Sequence, residues 1–283
     1  MIPKQFPPLA RADWQPTRDT LHGYAQIAGA VRGALSPSQK YSSHRSLLVA
    51  AAGLTTSPIP AGPFTFELLL DLSAHRLVLT TSHGRLWQQR LRGQSQAAFF
   101  DEVMGALAAQ GISLNLDRTP YANAAAGVYD VAAVERFCEA LSQIDQVLKR
   151  FKGELRQETS AVQLWPHHLD LAVLWFSGRR VPGQENAKPS FADEQMNFGF
   201  STGDGGIPEP YFYITAYPLP PALAATPVPP GAQWHTEGWS GAVLPYAQLV
   251  GAADAEERLL TFLRAYQGAG MALMKGSSKG PGL

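Results

Sequence analysis

The sequence predicts an α+β fold made of two similar halves, in each of which helices pack on a mostly antiparallel sheet. Apolar residues recur at steps of three and four in four segments, and short apolar or alternating runs typical of strands lie between them. The order of helix, strands and helix occurs twice, although the two halves share few residues. We therefore expect one compact domain over residues 1–283, pseudo-duplicated as 14–118 and 128–273.

The first half begins with a helix for which Asp19 is the expected cap. One side of this helix is apolar and holds Leu21, Tyr24, Ile27, Ala28 and Val31. Strands are predicted at 46–53, 64–72, 77–81 and 85–91. A second helix begins at Ser95 and stops at Gly111, and the alternation over 112–116 predicts another strand.

The second half begins with the clearest helix of the chain, which Asp130 caps. Its apolar positions are Val131, Val134, Phe137, Leu141, Ile144, Leu148 and Phe151. Strands are predicted at 161–165, 169–176, 211–217 and 241–244, with an irregular section between Phe176 and Tyr211. A closing helix runs from Asp254 to about Leu273, and residues 275–283 are expected to form a disordered tail.

Composition excludes several classes of protein. Apolar residues make up 45% of the chain and charged residues 16%, which is typical of a soluble globular protein. Lys plus Arg and Asp plus Glu number 23 each, so no net charge favours nucleic acid or an anionic membrane. The chain has no run of 18 apolar residues and its start does not resemble a signal peptide. The single cysteine, Cys138, cannot form an intramolecular disulfide, and we expect a cytoplasmic protein.

Several short segments, taken in order, resemble the DUF5996 family of bacterial proteins, a domain of unknown function. The segments are His22–Gly29, Gly53–Thr56 with Ile59–Pro60, Asp71 with His75, Asp170–Ala172, Phe176–Arg179, Gly199–Phe200, Tyr211–Tyr213 and Tyr217–Pro218. The resemblance extends from about Trp14 to about Tyr266. It implies a common architecture and supplies no activity.

The chain departs from the pattern of this family at two places. Where the family tends to have an aromatic pair after a histidine, this chain has His44–Ser46. Where the family has a histidine before the aspartate strand, this chain has Gln163, so no ligand role can be transferred to that position. The pair His167 and His168 occurs here instead.

The segment 165–180 places two histidines and an aspartate at the start of a run that is apolar on both faces. Because side chains alternate along a strand, His168 and Asp170 are expected on one face, about 6 to 7 Å apart. A buried ionised Asp170 needs a cation, a metal or several donors. Two ligands are too few for a catalytic zinc site, and the residues that would complete one are Glu194, His235 and Glu237.

A purely structural interpretation of the same residues is also consistent with the sequence. Asp170 would then accept hydrogen bonds from the backbone or from Arg179, and His167 and His168 would close a turn after Pro166. Arg179 would either bind a substrate carboxylate or phosphate, or form an ion pair with Asp170 or Glu194. The glycines of 198–206 match neither a phosphate-binding loop nor a dinucleotide fingerprint, so a nucleotide site is not supported.

Other residues are candidates for contacts with a ligand. Tyr211 and Tyr213 share one strand face, and Trp234 has the same combination of a flat ring and one polar end. His22 and Gln26 lie one helical turn apart as a neutral polar pair, and the alternative is a His22 bonded to a backbone carbonyl.

Two hypotheses of function follow. The first is a cytoplasmic small-molecule enzyme in which His168 or His167 is an acid/base held by Asp170, with Glu194, His235 and Glu237 nearby. The second is a non-catalytic ligand-binding or protein-interaction module with an aromatic-lined pocket. The sequence has no known hydrolase or redox motif. It leaves the metal, cofactor, substrate and oligomeric state open.

Overall fold

Helix α1 begins earlier than the sequence predicts. The computed structural model describes residues 6–184 and 192–276, and in it α1 spans Gln15–Leu35, with Pro16 in its first turn and no side-chain cap at Trp14. Asp19 therefore lies inside the helix, and the prediction that it caps the helix is wrong. The predicted apolar side is confirmed, since Leu21, Tyr24, Ile27, Ala28 and Val31 are buried.

The remaining elements confirm the α+β class and its antiparallel sheets. The helices after α1 are α2 (Gln96–Ala109), α3 (Val131–Glu154) and α4 (Ala255–Gly276). The strands are β1 (Leu48–Ala50), β2 (Gly53–Thr55), β3 (Ile59–Ala61), β4 (Phe64–Asp71), β5 (Arg76–Thr81), β6 (Leu86–Arg90), β7 (Gln163–Trp165), β8 (Asp170–Arg180), β9 (Asp193–Ser201), β10 (Tyr211–Tyr217), β11 (Gln233–His235) and β12 (Gly241–Pro245). None of the helices in the described ranges is long and apolar enough to cross a membrane.

The chain divides into two compact units whose limits differ from the predicted halves 14–118 and 128–273. The first unit contains Arg11–Ser142 and Gln163–Leu169. The second contains residues 6–10, 143–162 and the described part of 170–276. The boundary thus falls within α3, and β7 returns to the first unit. The internal duplication stays a prediction.

In the first unit, one sheet has the order β1-β2-β4-β5-β6, and β3 also pairs with β4. β7 joins the same unit through two 2.8 Å backbone hydrogen bonds between Leu47 and Leu164. The Ser95 hydroxyl caps α2, as predicted, by accepting from Ala98 N at 3.2 Å. Tyr24 stacks on Phe99 of α2 with ring centroids 4.0 Å apart, which fixes α1 against α2.

In the second unit, the strands run in the order β11-β12-β10-β9-β8, all antiparallel. The core beside this sheet is aromatic. Phe200 packs on Phe212 and on Tyr246 with ring centroids 5.2 and 5.5 Å apart, and Phe151 of α3 packs on Phe198 at 4.9 Å. The predicted cap of α3 is confirmed in the first unit, where Ala133 N donates to Asp130 Oδ1 at 3.1 Å.

Three other predictions of local structure need correction. Residues 112–116 form no strand, because this segment pairs with no other strand among the described residues. Its alternation arises because one side of the segment, which includes the buried Ile112, packs on the protein and the other side faces solvent. The section after Phe176 contains β9, whose alternating Met196, Phe198 and Phe200 are fully buried. Of the predicted tail, α4 covers its first two residues, and 277–283 lie outside the described residues.

Glycine at position 29 lets the backbone of α1 lie very close to Pro166 and to the backbone of Arg45. A Cβ there would lie 2.6 Å from Cγ of Pro166 and 2.8 Å from the carbonyl oxygen of Arg45. Both neighbours belong to the rigid frame, since one is a proline ring and the other is backbone. At Gly105 in α2, a Cβ would meet nothing within 4 Å.

We expect opposite effects from the same substitution at these two glycines. Gly29→Ala should lower the free energy of unfolding by about 1–3 kcal/mol, because the methyl group overpacks against Pro166 and the Arg45 backbone. Gly105→Ala should raise it by about 0.5–1 kcal/mol, because alanine favours the helix and meets no neighbour. Urea denaturation of the two variants measures both, and a stabilised Gly29→Ala variant would contradict this packing.

Candidate functional site

A strained turn in the first unit presents two imidazoles. His168 N and Leu169 N both lie within hydrogen-bond distance of the Trp165 carbonyl oxygen, at 3.3 and 2.9 Å. Leu169 has φ of 55°, in the left-handed region that is unfavourable for a bulky residue, and its side chain is buried. The rings of His167 and His168 are exposed and lie in contact, with centroids 4.2 Å apart. The buried leucine thus anchors a turn that leaves both histidines at the surface.

His22 of α1 contacts this turn. Its Nε2 lies 3.2 Å from the carbonyl oxygen of His167 and 3.2 Å from Nε2 of Gln26. Gln26 Oε1 in turn accepts from Nε2 of Gln96, at the start of α2, at 3.1 Å. The predicted pair of His22 and Gln26 is thus the middle of a polar chain, the His22–Gln96 relay, and one contact of His22 is with a backbone carbonyl.

The relay lies between two cavities of the first unit, and both are lined by Gln26. The larger cavity has a volume of about 660 Å³. Its walls include Trp165, Tyr121 and His167, the charged residues Arg45 and Asp117, and a stripe of small residues on α1. These small residues are Gly29, Ala30, Gly33 and Ala34. Because they carry little or no side chain, the helix leaves open space beside the aromatic rings.

The smaller cavity has a volume of about 310 Å³ and lies on the other side of Gln26. Four side-chain carboxamides line it, together with His22. They belong to Gln26, Gln94, Gln96 and Asn123. The sequence pattern does not mark Gln96, Asn123, Tyr121 or Trp165 as site residues. The one signal for them was the small-residue stripe of α1, which marks a helix face that admits another group.

The electrostatics of this site favour neutral imidazoles. Partial removal of the ring from water, together with the neighbouring His168 and His22, lowers the pKa of His167 to about 4. Burial also lowers the pKa of His22, and the charge of Arg18 acts in the same direction. At neutral pH His22 and His167 therefore offer ring nitrogen atoms for hydrogen bonds without adding positive charge.

Asp170, which is buried, lies in the second unit, where Tyr213 donates a hydrogen bond to it. The register explains this contact, since Tyr213 of β10 faces Gly199 of β9, and Gly199 faces Ala172 of β8. Paired residues share a sheet face, and a Cβ at Gly199 would collide with the ring and hydroxyl of Tyr213. Gly199 thus lets the ring lie flat over β9 and reach Asp170. Burial raises the pKa of the Tyr213 hydroxyl, and the charge of Asp170 adds to this effect.

Further groups lie beside this pair. Tyr211 donates to Asp204 Oδ2 at 2.6 Å, and its ring stacks on Trp239 at a centroid distance of 6.3 Å. His235 Nε2 lies 2.8 Å from the carbonyl oxygen of Glu237, and its ring packs on Trp239 at 4.5 Å. The sequence pattern does not mark Asp204 or Trp239 as members of this group.

The other predicted site residues of the second unit have structural partners. Arg179 and Glu194 form a two-pronged ion pair with N···O distances of 3.0 to 3.1 Å, which was one of the two predicted alternatives. Trp234 stacks on Tyr266 at a centroid distance of 6.2 Å. The Glu237 side chain is exposed. In the two described ranges, no group of three His, Cys, Asp or Glu side chains could hold a metal ion.

The fold and these sites define a class of protein with helices packed on antiparallel sheets and a pair of small cavities beside α1. The sequence profile of a family of unknown function, DUF5996, matches residues 6–276 of the 283 residues. The protein therefore belongs to the DUF5996 family. Neither a curated protein nor a solved structure matches it.

The low pKa of His167 predicts its titration. Followed by NMR through its ring protons and assigned with a His167→Gln variant, it should stay neutral from pH 8 down to about 5 and titrate near 4. Because the unfolded state, with a pKa near 6.5, binds more protons between pH 4 and 6.5, this residue destabilises the fold as the pH falls. The variant should therefore gain stability relative to the wild type over that interval. A His167 that titrates at or above the value of free histidine would contradict the assignment.

Two Tyr→Phe variants test the hydrogen bond to Asp170. Tyr213→Phe should lower the free energy of unfolding by about 1–3 kcal/mol, because it removes a donor to a buried carboxylate. Tyr266→Phe is the matched control, since its buried hydroxyl has no hydrogen-bond partner among the described residues. That variant should be neutral or more stable. Thermal and urea denaturation compare the two, and equal effects would show that the Tyr213 hydroxyl does not stabilise the fold.

Proposed function

We propose that this DUF5996 protein binds a small molecule in the larger cavity of its first unit, as a recognition module without chemistry of its own. The volume of about 660 Å³ carries the proposal, because it lies within the range of sites that hold small organic ligands. The lining also combines the aromatic rings of Trp165 and Tyr121 with polar residues that can orient a ligand.

The aromatic side chains indicate the shape of the ligand. Trp165 and Tyr121 both line the cavity, and the ring of Trp165 packs edge-on against His167 at a centroid distance of 6.1 Å. The small side chains of α1 leave room for a flat group against these rings. A planar, partly apolar molecule fits this combination better than a flexible or strongly charged one.

His167 indicates where the ligand would be polar. Neither ring nitrogen of His167 has a hydrogen bond among the described residues, and the low pKa keeps the ring neutral. A neutral imidazole has one nitrogen that accepts a hydrogen bond and one that donates. A ligand with a hydroxyl or N–H group at the edge of its ring would therefore bond to His167.

The partners of the remaining candidates favour binding over acid/base catalysis. Glu194 is held by Arg179 and His235 contacts the carbonyl of Glu237, so these groups have internal partners in the second unit. Of the histidines proposed for catalysis, His167 is the one that lines the larger cavity. The acid/base hypothesis built on His167, His168 and Asp170 stays a prediction of the sequence.

The setting of this function follows from charge and cysteine content. The balance of 23 basic and 23 acidic residues supports a partner that is neither nucleic acid nor an anionic membrane. The free thiol of Cys138 supports a reducing, cytoplasmic location. The molecule would therefore meet its ligand as a free metabolite of small size.

Phenol and anisole test the larger cavity, because they share a ring but only phenol has a hydroxyl that can donate a hydrogen bond to His167. Ligand-observed NMR should show phenol binding to the wild type and anisole binding about fivefold more weakly, the effect of one hydrogen bond. Ala30→Met should weaken phenol binding about tenfold by filling the cavity from α1.

Ala108→Met is the matched control, since Ala108 is an exposed residue of α2 outside the cavity lining. It should bind phenol like the wild type. Phenol binding that survives Ala30→Met, or no phenol binding at all to the folded wild type, would overturn the proposal.

A further inference from the structure

The smaller cavity is lined differently from the larger one and points to a ligand of its own. Its volume of about 310 Å³ is at the lower limit for small-molecule sites. One lining residue carries a fixed charge, Asp19, and its carboxylate is paired with Arg18 at 2.9 Å. His22 is held neutral by its lowered pKa. A charged ligand would lose its hydration here without meeting an opposite free charge, so a neutral ligand is favoured.

Both the oxygen and the nitrogen of the Gln94 carboxamide have hydrogen-bond partners within the protein. Its Oε1 accepts from the Tyr24 hydroxyl at 3.0 Å and from Arg92 N at 2.9 Å. Its Nε2 donates to the Arg90 carbonyl and to Glu102, both at 2.9 Å. Gln94 therefore forms a fixed wall and offers nothing to a ligand.

Gln96 and Asn123 each have one amide group with a hydrogen-bond partner, a donor on Gln96 and an acceptor on Asn123. Gln96 donates through Nε2 to Gln26, and Asn123 accepts through Oδ1 from Ala125 N at 3.0 Å. The structure gives no hydrogen bond to Gln96 Oε1 or from Asn123 Nδ2 within 6–184 and 192–276. The cavity thus has one acceptor, on Gln96, and one donor, on Asn123.

Backbone hydrogen bonds join the two segments that carry these side chains. Ala97 N, next to Gln96 in α2, donates to the carbonyl oxygen of Asn123 at 3.0 Å. Gly127 N donates to the Gly93 carbonyl oxygen at 3.0 Å and fixes the other end of the same loop. A donor and an acceptor in a fixed frame match an edge on which N–H and C=O are adjacent, as in a cyclic amide or ureide.

We infer that the smaller cavity, lined by His22, Gln26, Gln96 and Asn123, is a second binding site and takes a neutral ligand with a cis-amide edge. The ligand N–H donates to Gln96 Oε1, and its carbonyl oxygen accepts from Asn123 Nδ2. This site does not depend on the function proposed for the larger cavity, because their linings differ in every residue except Gln26.

Two probes that differ in one hydrogen-bond donor test this inference on the full chain. 2-Pyrrolidone has the cis-amide edge, and N-methyl-2-pyrrolidone has the same ring with its N–H blocked. In ¹H–¹⁵N NMR titrations, 2-pyrrolidone should shift the side-chain amide signals of Gln96 and Asn123. The methylated probe should bind at least about fivefold more weakly, because one hydrogen bond is lost.

Variants of the two amides complete the test. Gln96→Met removes the acceptor, and Asn123→Asp removes the donor while keeping an oxygen for Ala125 N; each should weaken 2-pyrrolidone binding about fivefold or more. Gln15→Met, at an exposed position of α1, should bind like the wild type, and thermal denaturation verifies that all three variants are folded. Equal binding of both probes, unshifted amide signals, or full binding by folded Gln96→Met and Asn123→Asp would each overturn the inference. Phenol binding at the larger cavity is measured separately, so failure of one site is distinguishable from failure of the other.

Discussion

The close contact of α1 with Pro166 is the constraint on which the candidate site depends. Glycine at position 29 lets the helix backbone approach the proline ring and the Arg45 carbonyl without a clash. Because the helix is that near, Gln26 and His22, one and two turns before Gly29, lie beside the turn that carries His167. A larger residue at position 29 would push the helix away, and the two cavities would lose the wall that they have in common.

Most of the local structure could be predicted from the sequence, because periodicity and caps act over a few residues. Ser95 and Asp130 cap helices where expected, and α4 begins within one residue of its predicted start. The strand β9 was missed, although its buried Met196, Phe198 and Phe200 alternate along the chain with Gln195, Asn197 and Gly199. Their role appears only when β8 and β10 are paired with β9, since Gly199 accommodates the Tyr213 ring.

The candidate site could be predicted only in part, because hydrogen-bond partners are fixed by tertiary contacts. His22 and Gln26 were found as a pair, since one helical turn joins them. Gln96 and Asn123 could not be associated with them, because 70 residues separate Gln96 from Gln26 and a backbone hydrogen bond brings in Asn123. Asp170 was correctly expected to need partners, and one of them is the hydroxyl of Tyr213.

One nitrogen atom links the two cavities. Nε2 of His22 lies 3.2 Å both from a carbonyl oxygen, which can only accept, and from the amide nitrogen of Gln26, which can only donate. A protonated Nε2 satisfies the carbonyl of His167, and a bare Nε2 satisfies Gln26, so the imidazole tautomer decides which contact is a hydrogen bond. Rotation of the Gln26 amide would accompany any exchange between these tautomers, and it would reverse the polarity that Gln96 presents to its cavity. The position of one proton on His22 therefore decides whether the Gln96 amide offers a hydrogen-bond donor or an acceptor to the smaller cavity.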